Sequence, residues 1–272
     1  MSTNQELRHA LDRQLRGAVH LRLPAGAWEE RDGPVRRYLG MGPGGLVLYS
    51  DLGGLAGEEL DRLIRRQQDR FTALGQGFEW KTYAHDQPPD LPSRLRALGF
   101  VPEATENVAI GLVAEQALAP ISLPEGVTLR AATSLADLHR LAQLLTMVFG
   151  EPREFLAEVL WAEMEANPAD LVVLLAEAQG EVVGGARVEL CPGTEFATLW
   201  SGATHPAWRG RGLYTAMVRH RARLAQERGL RYLEVDALEA SRVILERLGF
   251  RTVTTTTPYT WTPPAPVRER EA

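Results

Sequence analysis

The residues from His205 to Tyr214 carry the clearest chemical signature in the chain: His-Pro-Ala-Trp-Arg-Gly-Arg-Gly-Leu-Tyr. They follow an apolar segment typical of a strand and open an amphipathic segment typical of a helix. Free N–H groups in the first turn of a helix favour anions, glycines let a phosphate approach the backbone, and arginines add charged donors. The stretch therefore suits a pyrophosphate, with a tight structural turn as the alternative.

This stretch matches neither of two widespread phosphate-binding loops. The dinucleotide fingerprint needs three glycines and a later acidic residue that binds a ribose, and the Walker loop needs Gly-Lys before Ser or Thr. Because short Arg-Gly sequences are common in loops, the choice between a phosphate site and a turn depends on the surrounding elements.

Helix and strand patterns alternate in the second half of the chain. Ser134 is a candidate N-cap before leucines at helical spacing, and Gln179-Gly180 indicates a hairpin turn. The sequence predicts helices over 135–148, 153–166, 212–228 and 241–248, and strands over 127–130, 171–177, 181–190, 195–204 and 232–236. A last pair of threonine-rich strands is predicted after Gly249. Helices between strands, with hairpins at both ends, indicate an α/β (α+β) fold with a mixed sheet.

The three residues Leu-Gly-Phe occur twice, at 98–100 and at 248–250. Each copy follows a short helix, which itself follows a strand and an amphipathic helix; in the first copy these are predicted over 78–85 and 58–74. The shared order of elements indicates a duplicated fold. Two unrelated helix-to-strand turns are the alternative.

Prolines and a glycine in residues 115–125 predict a linker between the two halves. The sequence therefore predicts two domains, residues 1–117 and 118–272.

Composition excludes several functional classes. The 272 residues are 44% hydrophobic and 24% charged, as in a globular protein, and no apolar run approaches the roughly 20 residues that span a bilayer. Residues 1–15 lack the apolar region of a secretory signal, and a net charge of -5 argues against a nucleic-acid partner. Scattered histidines predict no metal site, and the single Cys191, placed in a turn, fits a reducing cytoplasm.

Residues 127–262 resemble a GCN5-related N-acetyltransferase (GNAT) domain in element order, length and motifs. Arg209 and Gly212 match the family's Arg/Gln-x-x-Gly-x-Gly/Ala motif, whereas Tyr214 stands where the family usually has Gly or Ala. Residues 246–250, Glu-Arg-Leu-Gly-Phe, match the family's characteristic ending, and residues 204–206, Thr-His-Pro, match the approach from the fourth strand.

The first half resembles the family only in its later elements. Where the motif would stand, residues 51–57 read Asp-Leu-Gly-Gly-Leu-Ala-Gly, with an acidic residue and no cation. The resemblance therefore implies two GNAT-like acyl-CoA N-acyltransferase domains in tandem. Residues 1–117 would form a degenerate domain without a CoA motif, and residues 118–272 would hold the acetyl-CoA site.

The resemblance also implies how acetyl-CoA would bind. Backbone groups near residues 203–205 would pair with the pantetheine arm, amides of residues 211–214 would hold the pyrophosphate, and the fourth and fifth strands would splay apart around the thioester. The expected cofactor-binding residues are Ala203, Thr204, His205, Arg209, Gly210, Arg211, Gly212, Leu213, Tyr214 and Ser241.

Direct attack of an amine on acetyl-CoA requires a deprotonated amine, donors for the tetrahedral oxyanion and a proton for the departing thiolate. The family's usual tyrosine acid is replaced here by Leu245. Because a thiol has a pKa of roughly 8.5, unassisted departure remains open.

Asp236 and Ser241 are the predicted catalytic residues. Asp236 stands at the carboxyl end of a central strand beside the expected splay, and Ser241 is placed to bond the pantetheine or the sulfur. A cap or turn role is the alternative for each. Glu195, Glu234 and His205 remain further candidate bases.

The leading hypothesis is an N-acetyltransferase that uses acetyl-CoA, without a metal, on a small-molecule amine, with the first half shaping the acceptor pocket. A non-catalytic acyl-CoA-binding or regulatory protein is the alternative, because of Leu245 and the degenerate first half. A third possibility is an O-acceptor or a longer acyl-CoA. No nucleic-acid or membrane partner is expected, and a monomer is favoured over a homodimer because two fused halves can satisfy contacts made between chains.

Overall fold

The computed structural model describes residues 3–16, 23, 26–41 and 44–264. The helices are α1 (Asn4–Leu11), α2 (Gly57–Thr72), α3 (Leu91–Ala97), α4 (Val113–Leu118), α5 (Leu135–Phe149), α6 (Leu156–Ala166), α7 (Leu213–Glu227) and α8 (Glu239–Arg247). The strands are β1 (Trp28–Asp32), β2 (Val35–Leu39), β3 (Gly44–Leu48), β4 (Gly77–Tyr83), β5 (Val101–Pro102), β6 (Glu106–Leu112), β7 (Val127–Ala131), β8 (Leu171–Ala178), β9 (Glu181–Leu190), β10 (Phe196–Thr204), β11 (Tyr232–Ala237) and β12 (Arg251–Trp261).

The chain forms two compact units that interleave along the sequence. Unit 1 takes Met1–Pro24 and Asn107–Val253, and unit 2 takes Ala25–Glu106 and Thr254–Ala272. Most of β6, the last strand of the first half, thus belongs to unit 1, and most of β12, the last strand of the second half, belongs to unit 2. The ends of the two predicted domains, 1–2 and 265–272, lie outside the described residues.

Unit 1 contains a mixed sheet in the order β7-β8-β9-β10-β11-β6. β10 and β11 run parallel, whereas the other neighbouring strands are antiparallel. The hairpin predicted at residues 179–180 joins β8 to β9. One core cluster joins residues of α5 and α6 to β8, and another joins residues of α4, α7 and α8 to the central strands.

Unit 2 repeats part of this arrangement. Its strands follow the order β1-β2-β3-β4-β12, with β5 paired to β12, and β3 and β4 run parallel as β10 and β11 do in unit 1. The amphipathic α2 buries Leu60, Leu63, Ile64 and Phe71 in a core that also contains Trp80. The order α2, β4, α3, Leu-Gly-Phe corresponds to α7, β11, α8, Leu-Gly-Phe, so the predicted duplication of elements is present.

The predicted α/β fold with a mixed sheet is confirmed, but several local predictions differ. Residues 113–118 form α4 rather than the start of a linker, because Val113 and Ala117 are buried in the core that includes α7. The predicted boundary between residues 117 and 118 therefore falls inside a helix. The threonine-rich end of the chain is one 11-residue strand, β12, instead of a pair.

A network of two arginines and two carboxylates joins three elements of unit 1. Arg130 of β7 donates to both carboxylate oxygens of Asp137 in α5, at 2.9 and 2.6 Å, and to both of Glu177 in β8, at 2.8 and 3.0 Å. Arg140 donates to Glu177 at 2.6 Å, and Asp137 also accepts from the Thr133 N–H. The Arg130 guanidinium holds the pKa of Asp137 well below its usual range.

Replacing Asp137 by Asn should destabilise the protein by roughly 2 kcal/mol, because a charge-assisted pair at a nearly buried site is lost. The folded pKa of Asp137 lies below its unfolded value of about 3.9, so its stabilisation is present above that pH and is lost as the pH falls further. Chemical unfolding at pH 7 and at pH 3 measures both effects, and the variant should lose less stability on acidification.

Glu151→Gln is the matched control, since the Glu151 side chain is 77% exposed and lies 3.5 Å from Arg153. Its effect should stay within about 0.5 kcal/mol. Equal effects of the two substitutions would contradict the role assigned to the network.

Candidate active site

The loop between β10 and α7 has the backbone shape that its glycines allow. A single 3-10 turn, Pro206–Trp208, leads into residues 209–212, and α7 begins at Leu213. Gly210 and Gly212 have φ of 72° and 83°, in the left-handed region, and a Cβ added to either would meet nothing within 4 Å. Glycine is favoured here by backbone conformation and not by crowding, so the loop presents an open surface at the N-terminus of α7.

Both arginines of the loop are exposed. Arg209 donates from Nε to the Thr204 carbonyl at 3.3 Å, and the Arg211 guanidinium lies 4.8 Å from the centre of the Trp208 ring. In the described part of the chain neither arginine has a carboxylate partner, so their charges remain available to an anion beside the positive end of the helix dipole.

A cavity of 520 Å³ opens beside this loop in unit 1. Four segments enclose it: the end of β10, the loop with the start of α7, the start of α8, and the end of α5. Its lining comprises Val148, Phe149, Gly202, Ala203, Thr204, Trp208, Arg209, Gly210, Gly212, Leu213, Tyr214, Thr215, Leu238, Ala240, Ser241 and Ile244.

The strands β10 and β11 part at the level of this cavity. Their parallel pairing covers Phe196–Thr198 and Tyr232–Glu234, whereas β10 continues to Thr204 and β11 to Ala237. Between Trp200 and Ala203 the pairing of β10 with β9 shifts register, and Ser201 adopts φ of 53°. The predicted splay is therefore present, and it leaves one edge of β10 open to an extended ligand.

Eight of the ten predicted cofactor-binding residues line the cavity: Ala203, Thr204, Arg209, Gly210, Gly212, Leu213, Tyr214 and Ser241. Thr204 Oγ1 is buried and has no hydrogen-bond partner among the described residues. His205 and Arg211 lie outside this lining. The His205 N–H donates to the Val183 carbonyl at 2.9 Å, on the side of β9, and His205 Nδ1 accepts from the Ala207 N–H.

Ser241 lies within the first turn of α8 rather than at its cap. The helix begins at Glu239 with Leu238 as its N-cap, and the Ser241 N–H donates to the Leu238 carbonyl at 2.9 Å. The alternative of an N-cap serine is therefore wrong, and the hydroxyl-bearing side chain is part of the cavity lining.

The acidic candidates divide between two ends of the sheet. Glu234 belongs to the last residue pair of β10 with β11, and Asp236 lies two residues beyond it, in the splayed part. Leu233 and Val235 pack in the core with α7 and α8, so Glu234 and Asp236 project to the opposite face of the sheet. Glu195 is exposed at the other end of β10, where it accepts from Gln14, and it is remote from the splay.

Leu245, at the position of the family's tyrosine, is completely buried in the core with α7 and β11. Leu245 is not part of the cavity lining, and its hydrocarbon side chain has no proton to donate to a thiolate.

Sequence reasoning missed the apolar rim of the cavity. Four exposed apolar side chains lie at the two helices that border it, α5 and α8: Met147, Phe149, Leu238 and Val243. Phe149 and Leu238, 39% and 43% exposed, also line the cavity. The helical spacing of Met147 and Phe149 in the sequence indicates only an amphipathic helix, and the signal that could have found these two is the excess of apolar residues at the end of α5.

No group of three or more metal-ligating side chains occurs among the residues that the structure describes. Within the same ranges, no helix combines the length and apolar character needed to cross a membrane.

Comparison with known proteins relates the chain to one family. Residues 138–250 match the model of the acetyltransferase (GNAT) family, and no curated protein matches the chain. A GCN5-related N-acetyltransferase from Kribbella flavida is similar in structure, with a TM-score of 0.65 and 15% identity over 97% of this chain and 95% of that one.

Two further solved structures are similar over most of the chain. A tandem GNAT protein from the clavulanic acid biosynthesis pathway, solved without AcCoA, has a TM-score of 0.64 and 16% identity over 89% of this chain and 85% of its own. A GCN5-related N-acetyltransferase from Sphaerobacter thermophilus has a TM-score of 0.59 and 17% identity over 87% and 76%. At these identities the likeness supports the fold.

Cys191 should react slowly in the native protein. Burial, with Glu189 nearby, raises the pKa of Cys191 to about 12, so the reactive thiolate is scarce at pH 8. Since it is the single cysteine of the chain, the colour released by an aromatic disulfide reagent reports on it alone. We expect a rate at least about ten-fold below that of the protein in denaturant. Cys191→Ser gives the background, and equally fast labelling in both states would contradict the burial.

Proposed function

Because residues 138–250 form a domain of the GNAT acetyltransferase family, we propose that the protein transfers the acetyl group of acetyl-CoA to the amine of a small-molecule acceptor. Membership in the family supports acyl transfer in general. The observation that carries the finer proposal is the junction, in one cavity, of the open edge of β10 with the arginine–glycine loop at the N-terminus of α7.

The donor is proposed to bind along this junction. The pyrophosphate lies against the N–H groups of the first turn of α7, with Arg209 and Arg211 as counter-charges. The pantetheine arm follows the edge of β10 beyond its last pair with β11, and Thr204, whose hydroxyl has no partner among the described residues, lies at that edge. This order places the thioester near the register shift of β10.

The acceptor is proposed to approach from the face of the sheet opposite α7 and α8. Asp236 projects to that face in the splayed part of β11, and it serves as the base that removes a proton from the attacking amine. An alkyl ammonium has a pKa near 10.4, and a nearby carboxylate favours its charged form, so the reactive species is the neutral amine that binds from solution. Asp236 orients this amine and accepts the proton from the positively charged nitrogen that forms when the amine attacks the thioester. The proposed donors for the oxyanion are backbone N–H groups at the register shift of β10, where Ser201 has a φ of 53°.

Unit 2 is proposed to have no donor site. In its loop between β3 and α2, the Asp51 carboxylate accepts from the Gly53 N–H. A carboxylate of the chain thus occupies a position from which it repels a phosphate. The monomeric state and the cytoplasmic location expected from the sequence are retained as part of this proposal.

Acetyl-CoA should raise the Tm of the wild-type protein, and an Arg209→Glu, Gly212→Asp double variant should lose this effect. At 100-fold over Kd, a ligand of the native state adds about 2.7 kcal/mol, which corresponds to roughly 5 to 10 °C. Asp is among the residues that tolerate a left-handed φ, so the variant should fold. Thermal unfolding at increasing acetyl-CoA concentration measures the shift.

Arg219→Glu is the matched control for Arg209→Glu, because it makes the same charge change at a position on α7 where the arginine donates to the Pro120 carbonyl. It should keep the shift. No shift in the wild type with acetyl-CoA or CoA would overturn the proposed donor site. A saturable shift without acceptor-dependent release of CoA thiol, over a panel of amines, would favour the non-catalytic acyl-CoA-binding alternative.

The apolar rim favours a second candidate, transfer of a longer acyl chain. Phe149 and Leu238 offer exposed apolar surface at the cavity, and each methylene buried there would contribute about 0.8 kcal/mol.

Under this second candidate, hexanoyl-CoA should bind at least about ten-fold more tightly than acetyl-CoA, because four additional methylenes reach the rim. A Phe149→Ser, Leu238→Ser variant should remove the preference and leave acetyl-CoA binding unchanged. Calorimetric titration with both donors measures the ratio. Equal affinity of the wild-type protein for the two donors would leave acetyl transfer as the better assignment.

A further inference from the structure

Tyr214 is the one phenol in the lining of the donor cavity. The chain has six tyrosines, all of them within the described residues, and the other five contribute nothing to this lining. Tyr214 is half-buried at the second position of α7. It occupies the position at which the family motif has Gly or Ala, so a large polar side chain stands where little side chain is expected.

The ring of Tyr214 packs directly on β10. A Cβ added to Gly202 would lie 3.0 Å from Cε2 of Tyr214, so the missing side chain of Gly202 makes room for the ring. Gly202 lies within the register shift between Trp200 and Ala203, on the strand whose open edge is assigned to the pantetheine arm. The phenol therefore stands beside the segment of the donor that ends in sulfur.

The departing thiolate lacks its usual proton donor. Leu245, where the family's tyrosine would stand, is a hydrocarbon side chain with no exposed surface. Hydroxyls of Thr204, Thr215 and Ser241 also line the cavity. Aliphatic hydroxyls are far weaker acids than a phenol, which ionises near pH 10. Among these groups the phenol is the suitable proton donor for a thiolate.

A buried positive charge lies on the same face of α7, two turns after Tyr214. Arg221 is 1% exposed and donates to the carbonyls of Met217 and Arg187 at 3.2 and 3.1 Å. Burial lowers the pKa of Arg221 to about 10, and its interaction with Tyr214 acts in the opposite direction. The guanidinium stays charged at neutral pH, so a fixed positive charge lies on the face of α7 that carries Tyr214.

We infer that Tyr214 is the general acid of the reaction, donating its Oη proton to the sulfur of CoA. This inference rests on the proposed function. The acceptor nitrogen bonds to the thioester carbon, the C–S bond breaks and its electron pair goes to sulfur, and the Tyr214 proton moves to that sulfur. The products are the amide and CoA thiol; the proton lost by the amine goes to the base, and water returns a proton to the phenolate.

A comparison of CoA with desulfo-CoA tests this contact without an acceptor. Calorimetric titration gives Kd of the full-length wild-type protein and of Tyr214→Phe for both ligands. The phenylalanine ring keeps the packing on Gly202, so the variant should fold. If Oη bonds to sulfur, Tyr214→Phe weakens CoA roughly five-fold, as expected for one lost hydrogen bond, and leaves desulfo-CoA unchanged.

Tyr232→Phe is the matched control, since it removes a phenol hydroxyl from unit 1 away from the cavity lining. It should change neither Kd. Equal weakening of both ligands by Tyr214→Phe, or no weakening of either, would overturn the inference because the hydroxyl would then not recognise sulfur. Failure of the wild-type protein to bind either ligand would overturn the donor site itself and is thus a separate result.

Discussion

The early parting of β10 and β11 is the constraint on which the candidate site depends. Two parallel strands normally satisfy each other's backbone groups along their whole length, but here the pairing ends after three residue pairs while both strands continue. The unpaired edge must then be satisfied by solvent or by a ligand. On one side of the opening, β11 is held in place because Leu233 and Val235 pack in the core with α7 and α8. On the other side, the register shift of β10 bends that strand away from β11.

Charge and backbone shape act together at the mouth of this opening. The left-handed glycines 210 and 212 turn the chain into α7 without side chains over the helix N-terminus. In the described part of the chain, Arg209 and Arg211 have no carboxylate partners. The positive end of the α7 dipole lies beside them, at the N-terminus of the helix. In the corresponding loop of unit 2, residues 51–57 contain no arginine and Asp51 accepts from the Gly53 N–H, and for this reason the proposed donor site is confined to unit 1.

Local patterns in the sequence predicted the elements of unit 1 well, because helical periodicity, the Ser134 cap and the glycine loop act within a few residues. The exchange of β6 and β12 between the units was not predicted, since the choice of a neighbouring strand depends on long-range pairing that leaves no local signal. The start of α8 was predicted at Ser241, but the helix begins two residues earlier, at Glu239. The burial of Arg221 also escaped prediction, because its partners are backbone carbonyls.

The central claim is that one CoA-binding site exists, and that it lies between the open edge of β10 and the N-terminus of α7. Hydrogen exchange of the full-length protein with and without CoA, resolved by mass spectrometry of its peptides, tests the claim directly. Protection by CoA confined to peptides covering residues 199–216 and 238–244, with none over residues 51–57, is the predicted result. Protection over residues 51–57, or no protection over residues 205–214, would contradict it.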